Sequence, residues 1–373
     1  MPAIEPLLRA ARANAGITQD ALAAAAGISR QAYAAIEHAD AVPSTEVALR
    51  LARALGATVE SLFRLREEPR PAVEALLAGP PLEPDAAGPT RAQVHRVGDR
   101  WVARPLRASK GHPALQHTLP AANGLISGGA GGTVRVDLLD DGTPAKSLVA
   151  VGCDPSTAIV AAHLARREVD LAWHEAGSRA ALEQLAAGYA HVAGCHLADA
   201  ATGAYNRPWV ERLLPFPAVI VAYATWEQGL LVAPGNPKRI RGVEDLARPG
   251  VFIVNREPGS GSRALLDEAL ARIGVAPAAI AGYDREATSH LTVAEVVGMG
   301  LADAGIGVRA AANAAGLDFV PLRQERYDLV IPRHFIDLPP VQAMLDTLRR
   351  PGLRRQVEAL GGYDLSSVGQ EAA

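Results

Sequence analysis

The residues best suited to chemistry in this chain lie in one short run, Pro258-Gly259-Ser260-Gly261-Ser262-Arg263. Such a run can hold an anion: glycine lets the backbone come close, serine donates a hydroxyl, and arginine supplies a fixed charge. Before it stands Val251-Phe252-Ile253-Val254, an apolar run expected to be a buried strand. After it Ala264, Leu265, Leu266, Ala269 and Leu270 recur at helical spacing. Strand, Gly/Ser loop and helix together aim free backbone N–H groups at whatever lies beyond the loop. The same composition also serves as a plain connection with a serine N-cap. No Lys-Ser/Thr follows the glycines, so the run is not a phosphate-binding P-loop, and the Gly-x-Ser-x-Gly spacing of a nucleophile elbow is absent.

The elements that must position this loop belong to a chain of 373 residues, enough for two or three domains. A net charge of −3 gives no global basic field, so contact with nucleic acid must come from a local patch. Cys153 and Cys195 are the only cysteines, too few for a disulfide framework or a cysteine-based zinc site. Arg9 and Arg12 interrupt the N-terminal apolar residues, so no signal peptide is expected. No run of 18 apolar residues is present, so no membrane span is expected either. The expected compartment is the cytoplasm.

Residues 4 to 63 break into about five short helical patterns. Thr18 is suited to cap a helix that buries Leu22 and Ala23, and Gly27 to end it in the left-handed region. Ile28 plugs the turn and Ser29 caps the next helix. Two short helices around a glycine turn make a helix-turn-helix unit. Its second helix would present Arg30, Gln31, Tyr33 and Ala34 to the major groove, with Gln19 placed to touch phosphate and brace that helix. The stretch from about Leu7 to Leu65 resembles the Cro/repressor-type (XRE) helix-turn-helix family. The match is carried by Thr18-Gln19, Leu22-Ala23, Gly27-Ile28-Ser29, Ile36-Glu37, Pro43-Ser44, the helix from Val47 to Gly56, and Val59 to Phe63. The resemblance implies double-stranded DNA as a partner, with Gln19, Ser29, Arg30, Gln31, Tyr33 and Ser44 in contact with it. Arg30 is the one charged group in that set, so few phosphate contacts are available per subunit and a homodimer is expected.

Five prolines between Glu67 and Gly88 mark a linker, placed over 67–92, with a short helix considered around Val73 to Leu77. Gln93 to Leu106 fits a hairpin around Gly98-Asp99, Gly128 to Gly132 a flexible loop, and Thr133 to Leu139 an alternating strand. Residues 93–146 are therefore expected to be a small β-rich module. His95, His112 and His117 show no metal-ligand spacing and are expected at surfaces or interfaces.

From Ser147 strands alternate with helices, which implies a parallel sheet with ligands beyond the carboxyl ends of its strands. Asp154, Ser156, Gly177-Ser178 and Cys195-His196 all fall on that edge. Val219 to Tyr223, Gly229 to Ala233, Leu317 to Leu322 and Tyr327 to Ile331 read as four further strands. Two α/β lobes with the chain crossing between them twice are the plan of a periplasmic binding protein. Residues 147 to 361 resemble the PBP-like domain found fused to helix-turn-helix regulators and to some molybdopterin-biosynthesis proteins. The matching stretches include Ala193 to Leu197, Gly203 to Pro208, Glu227 to Leu230, Pro234 to Pro237, Asn255-Arg256 with Gly259 to Arg263, Ala302 to Gly305 and Glu325 to Leu329. Ser262 stands where the family often has Thr, and Cys153 where a small polar residue is more usual.

Three parts are thus expected: an all-α helix-turn-helix domain over 1–66, the β-rich module after its linker, and a two-lobed α/β type II periplasmic-binding-protein-like domain over 147–373. Lobe one is placed at about 147–223 with 327–373, and lobe two at about 224–326. When the lobes close, Ser156 and Ser178 would face Ser260, Gly261, Ser262 and Arg263 across a site that favours a small anion. Asp154, His196 and His290 complete the candidate ligand set. Asp154 equally suits an N-cap, and His196 a structural histidine. Cys153 and Cys195 end neighbouring strands, either as a thiol or metal pair or as inert buried thiols; no resident metal or cofactor is expected. The reading is a ligand-responsive transcription regulator rather than an enzyme, with molybdate or tungstate as candidate effectors. The alternative is a molybdenum-cofactor-related enzyme or accessory protein using the same pocket. No nucleophile–base pair or carboxylate dyad stands at readable spacing.

Overall fold

A computed structural model describes residues 4–65, 71–79, 82, 89–106, 120–139, 146–199 and 202–372. His112, His117 and part of the expected linker (67–70, 80–81 and 83–88) lie outside these residues. The chain divides into two compact units, Met1–Arg70 and Pro71–Ala373.

The first unit contains helices α1 (Leu8–Asn14), α2 (Gln19–Ala26), α3 (Arg30–Glu37), α4 (Thr45–Leu55) and α5 (Val59–Leu62), clasped by short antiparallel strands β1 (Ile4–Pro6) and β2 (Phe63–Leu65). Local chemistry sets the boundaries. The hydroxyls of Thr18, Ser29, Ser44 and Thr58 each accept a hydrogen bond from a backbone N–H in the first turn of the helix they precede. Gly27 and Gly56 end α2 and α4 at φ +72° and +60°, where a side chain is strained. Leu8, Leu22, Tyr33, Leu51 and Leu62 form the core.

The second unit opens with a closed five-stranded barrel: β3 (Ala72–Leu77), β4 (Thr90–Val97), β5 (Arg100–Pro105), β6 (Gly124–Ala130) and β7 (Thr133–Leu138), in the order β3-β5-β4-β6-β7. Two expectations are corrected here. Val73 to Leu77 is a strand, not a helix, because it pairs antiparallel with β7 and parallel to β5; those pairings override the helical bias of its Ala, Glu and Leu. Of the glycines expected as a flexible loop, Gly128 and Gly129 belong to the end of β6, which carries a register shift between Ile126 and Gly128 opposite β7, while Gly131 and Gly132 form the turn into β7.

The remaining chain builds a nine-stranded mixed sheet covered by helices. Strands β8 (Ser147–Gly152), β9 (Asp170–Glu175) and β10 (Val192–Cys195) run parallel, with α6 (Thr157–Ala165), α7 (Ser178–Ala186) and α8 (Arg207–Leu213) among them. Strand β11 (Ala218–Val232) leads to the other end of the sheet, formed by β12 (Ile253–Arg256), α9 (Gly261–Arg272), β13 (Glu286–Ala287), α10 (His290–Gly298), β14 (Ala304–Val308) and α11 (Arg309–Ala314). The chain returns along β15 (Asp318–Pro332) and closes with α12 (Pro339–Leu348), α13 (Pro351–Glu358) and β16 (Tyr363–Asp364). β11 and β15, 15 residues each, are continuous antiparallel partners through both lobes, where four separate strands were expected. Register shifts at Ala222/Ala224 and Gln228/Gly229 interrupt the ladder and hid its continuity from the alternation pattern. Trp226 and Gln228 lie in the segment between these shifts.

Candidate functional site

The first lobe brings its functional groups to the carboxyl ends of β8 and β10. Gly152 and Gly194 are glycines because the Tyr327 hydroxyl occupies the space an added Cβ would need. Beyond β8, Cys153 is fully enclosed, and burial pushes its thiol pKa up. The Asp154 carboxylate accepts from the Ser156 N–H at 2.9 Å, from the Ser156 hydroxyl at 2.8 Å and from the Tyr363 hydroxyl at 2.5 Å. Ser156 also bonds the Tyr223 hydroxyl. Burial raises the Asp154 pKa in spite of these donors. Beyond β10, the His196 N–H donates to the Ser178 hydroxyl at 3.1 Å, and His196 Nδ1 lies 2.9 Å from Glu325 Oε2. A carboxylate only accepts, so in the neutral ring the proton sits on Nδ1 and Nε2 presents a lone pair.

The second lobe presents the Gly/Ser loop and α10. Ser260 caps α9, accepting from the Arg263 N–H at 3.2 Å while its hydroxyl donates to the Glu257 carbonyl at 2.9 Å. Ser262 donates to Gln228 Oε1 at 3.0 Å. Arg263, expected to face the ligand, turns the other way: it stacks on Tyr283 at 4.0 Å and bonds the Arg256 carbonyl, beside Asp267. The cation near the site is Arg256, which is fully buried and gripped by both Glu257 oxygens at 2.8 and 2.9 Å and by the carbonyls of Ala287 and Thr288.

The two lobes meet at these loops. An added Cβ on Gly261 would overlap His196, and one on Gly177 would overlap Glu257 and crowd Ser260. The Arg179 N–H donates across to the Gly259 carbonyl at 3.2 Å. Asp154, Ser156, Ser178, His196, Ser260, Gly261, Ser262 and His290 are all buried at or beside this junction. The hydroxyls of the expected serine cage all make hydrogen bonds within the chain: Ser156 with Asp154 and Tyr223, Ser178 as acceptor from the His196 N–H, Ser260 with the Glu257 carbonyl and Ser262 with Gln228 Oε1. Among the described residues, the buried polar atoms left without a hydrogen-bond partner include, around this junction, Trp226 Nε1, Gln228 Nε2, Arg256 Nη1, His196 Nε2, both His290 nitrogens and the Tyr327 hydroxyl. The rings are close neighbours, with centroids 5.0 Å apart for His196–Trp226 and 5.6 Å for Trp226–His290. Native proteins satisfy nearly all buried polar groups, so such a concentration marks a place built for something else. Burial, then the charge of Arg256, holds the His290 pKa well below its ordinary value, so the ring is neutral at pH 7. A groove lined by Tyr205, Gly261, Ala264, Glu268, Arg323 and Glu325 borders the junction. Trp226 and Gln228 were missed in the sequence because nothing there shows that β11 crosses both lobes.

In the first unit, Arg30 and Gln31 are exposed at the start of α3, and Arg30 forms only a loose 3.6 Å pair with Asp20. Ser29 and Ser44 are exposed with their hydroxyls acting as caps. Tyr33, expected to face DNA, is wholly buried, and its hydroxyl donates to Glu37 at 3.0 Å. The reason is helical geometry, which puts residue 33 on the same face as Ile36 and Glu37 and hence in the core. Gln19 does brace α3, donating to Glu37. Burial would raise the Glu37 pKa, but donors from Arg12, Gln19 and Tyr33 outweigh it and lower it.

The fold and the junction define a two-lobed small-ligand-binding domain in a chain that also carries a DNA-binding helical unit. The chain belongs to the PBP superfamily, whose domain model matches residues 161–349, and a helix-turn-helix model matches residues 8–62. It is 38% identical over 233 residues to the uncharacterized protein YvgK of Bacillus subtilis (strain 168), covering 62% of this chain and 74% of that protein. It is 42% identical over 57 residues to the uncharacterized HTH-type transcriptional regulator YgzD of the same strain, covering 15% of this chain and 86% of that one. Its backbone is similar to that of the sulfate-binding protein SubI from Mycobacterium tuberculosis H37Rv, with a TM-score of 0.49 and 17% identity over 59% of this chain and 87% of that one. No helix among the described residues is long and apolar enough to cross a membrane.

Proposed function

We propose that this protein is a cytoplasmic, homodimeric transcription regulator that binds operator DNA through its helix-turn-helix unit and responds to a small oxyanion held between the lobes of the second unit, molybdate or tungstate being the leading candidates. The observation that carries the ligand reading is the set of buried N–H donors with no partner at the junction, Trp226 Nε1, Gln228 Nε2 and Arg256 Nη1. Donors without acceptors suit an anion, and the N-terminus of α10, capped by Ser289, adds a favourable dipole. Ser262 belongs to this reading as a positioning residue, since its bond to Gln228 Oε1 holds the amide so that Nε2 is free. Because Trp226 and Gln228 lie on β11 where it crosses between the lobes, with His196 of the first lobe against Trp226, a ligand there would bind one arrangement of the lobes better than another, which is the requirement for an effector.

The test is a thermal-shift panel of molybdate, tungstate, sulfate, phosphate and small carboxylates, run in metal-free buffer on wild type, Trp226→Phe and Ser262→Ala. One anion is expected to raise the Tm of wild type with a concentration dependence set by mass action. Trp226→Phe keeps an aromatic side chain, though a smaller one, and removes one donor, and is expected to weaken binding by about 1.5–3 kcal/mol. The same anion is expected to change the affinity of wild type for a fluorescent fragment of its own promoter. The absence of any anion shift in wild type would sink the oxyanion reading.

A further inference from the structure

We propose that Cys153, His196 and His290 form a binding site for a thiophilic or borderline transition-metal ion, with zinc(II) as the reference case, at the junction of the two lobes. The proposal concerns a cation and does not depend on the oxyanion reading.

The trio comes from three separate elements: Cys153 follows β8, His196 follows β10, and His290 opens α10. One ligand atom from each, a sulfur and two imidazole nitrogens, lies within 4.8 Å of the others, and all three residues are buried. A tetrahedral zinc site with ordinary Zn–S and Zn–N bonds puts its ligand atoms roughly 3.5 Å apart, so an ion would draw these inward by about 1 Å at most. Nothing in the sequence spacing announces the set, since the residues are 43 and 94 positions apart.

Two further observations point to a ligand. His196 Nε2 and both nitrogens of His290 are buried without a hydrogen-bond partner, and coordination would satisfy one on each ring. Glu325 holds His196 Nδ1, the arrangement by which an outer carboxylate fixes a metal-bound histidine in its tautomer. The donor set decides the class of ion. A thiolate with two imidazoles suits zinc or copper(I), whereas calcium and magnesium need oxygen ligands. Arg256 opposes a cation nearby, but Glu257 binds it through both oxygens, and the Glu325 carboxylate stands behind His196. Binding converts the Cys153 S–H to an S–metal bond and releases its proton to solvent, with no change of oxidation state. Three protein ligands leave a fourth position for water or an anion. Because the ligands come from both lobes, the ion would also hold the junction closed.

The experiment uses full-length reduced protein, stripped with a chelator, in chloride buffer free of oxyanions. Zinc(II) is titrated against a chromophoric competitor, and cobalt(II) serves as the optical probe because a thiolate ligand gives a sulfur-to-cobalt charge-transfer band. One ion per chain is expected. Cys153→Ser is expected to abolish the sulfur band and weaken zinc binding at least tenfold. His290→Ala is expected to weaken it similarly while keeping the band, and Cys195→Ser to change neither. Zinc affinity should fall about tenfold per pH unit as pH is lowered, because one thiol proton must leave. Should Cys153→Ser fail to fold, His290→Ala decides. A band that survives Cys153→Ser, an unchanged affinity in His290→Ala, or no stoichiometric zinc in wild type would overturn the site. Anion stabilisation in metal-free buffer without zinc binding would overturn this proposal alone, and zinc binding without any anion response would overturn the oxyanion reading alone.

Discussion

Several buried or half-buried histidines of the second unit have pKa values lowered by burial, His95, His174, His191 and His290 among them, and His191 has the plainest geometry. It packs edge-on against Phe335, and its Nδ1 accepts the Val149 N–H at 3.1 Å, which requires the ring to be neutral at that atom. Burial lowers its pKa to about 4. A folded-state pKa below the unfolded value of about 6.5 means the stability contributed by the neutral ring is present above pH 6.5 and lost as pH falls toward 4, up to about 3 kcal/mol. His191→Asn keeps an acceptor near the same place and removes the titration. All four tryptophans lie beyond residue 100, so tryptophan fluorescence follows the second unit alone. Urea midpoints measured this way are expected to fall more steeply between pH 6.5 and 4 for wild type than for His191→Asn. Parallel curves would remove His191 as a source of acid lability.

At the scale of elements, the helix-turn-helix unit was the most legible part of the chain, because its signals are local. Capping hydroxyls, a left-handed glycine and apolar residues one helical turn apart are visible in the order of residues, and the helices form where those signals put them. The side-chain assignments on α3 were less secure. Tyr33 is a large amphipathic residue on a short helix, and its helical face, shared with Ile36 and Glu37, is turned into the core cluster that includes Leu22 and Leu51. The groove-facing set therefore narrows to Arg30 and Gln31 with their exposed neighbours. Arg30→Ala and Gln31→Ala are each expected to weaken operator binding by about 1–3 kcal/mol if they read bases. Fluorescence anisotropy with a promoter fragment would measure this, and unchanged affinity in both variants would move base reading off α3. Tyr33→Phe, which loses only its hydroxyl, is expected to leave sequence preference intact.

At the scale of the whole molecule, one exposed arginine on α3 is a small electrostatic grip, and the expected remedy is a second copy. The protein is predicted to bind as a dimer to two half-sites separated by about one helical turn of DNA, 10–10.5 base pairs, or a multiple of it. Light scattering with footprinting would check this, and a protein that stays monomeric on DNA would refute it. The sequence by itself determined the helix-turn-helix unit, the alternation of strands and helices after Ser147, and the loop before α9, because each rests on residues within one or two turns of one another. Only the tertiary structure decided that Val73 to Leu77 is a barrel strand, that β11 and β15 run through both lobes, that Arg263 turns away while Arg256 faces the junction, and that Cys153 meets His196 and His290. Those outcomes depend on pairings between distant segments, and no local pattern encodes which buried atom is left without a partner once the chain has closed.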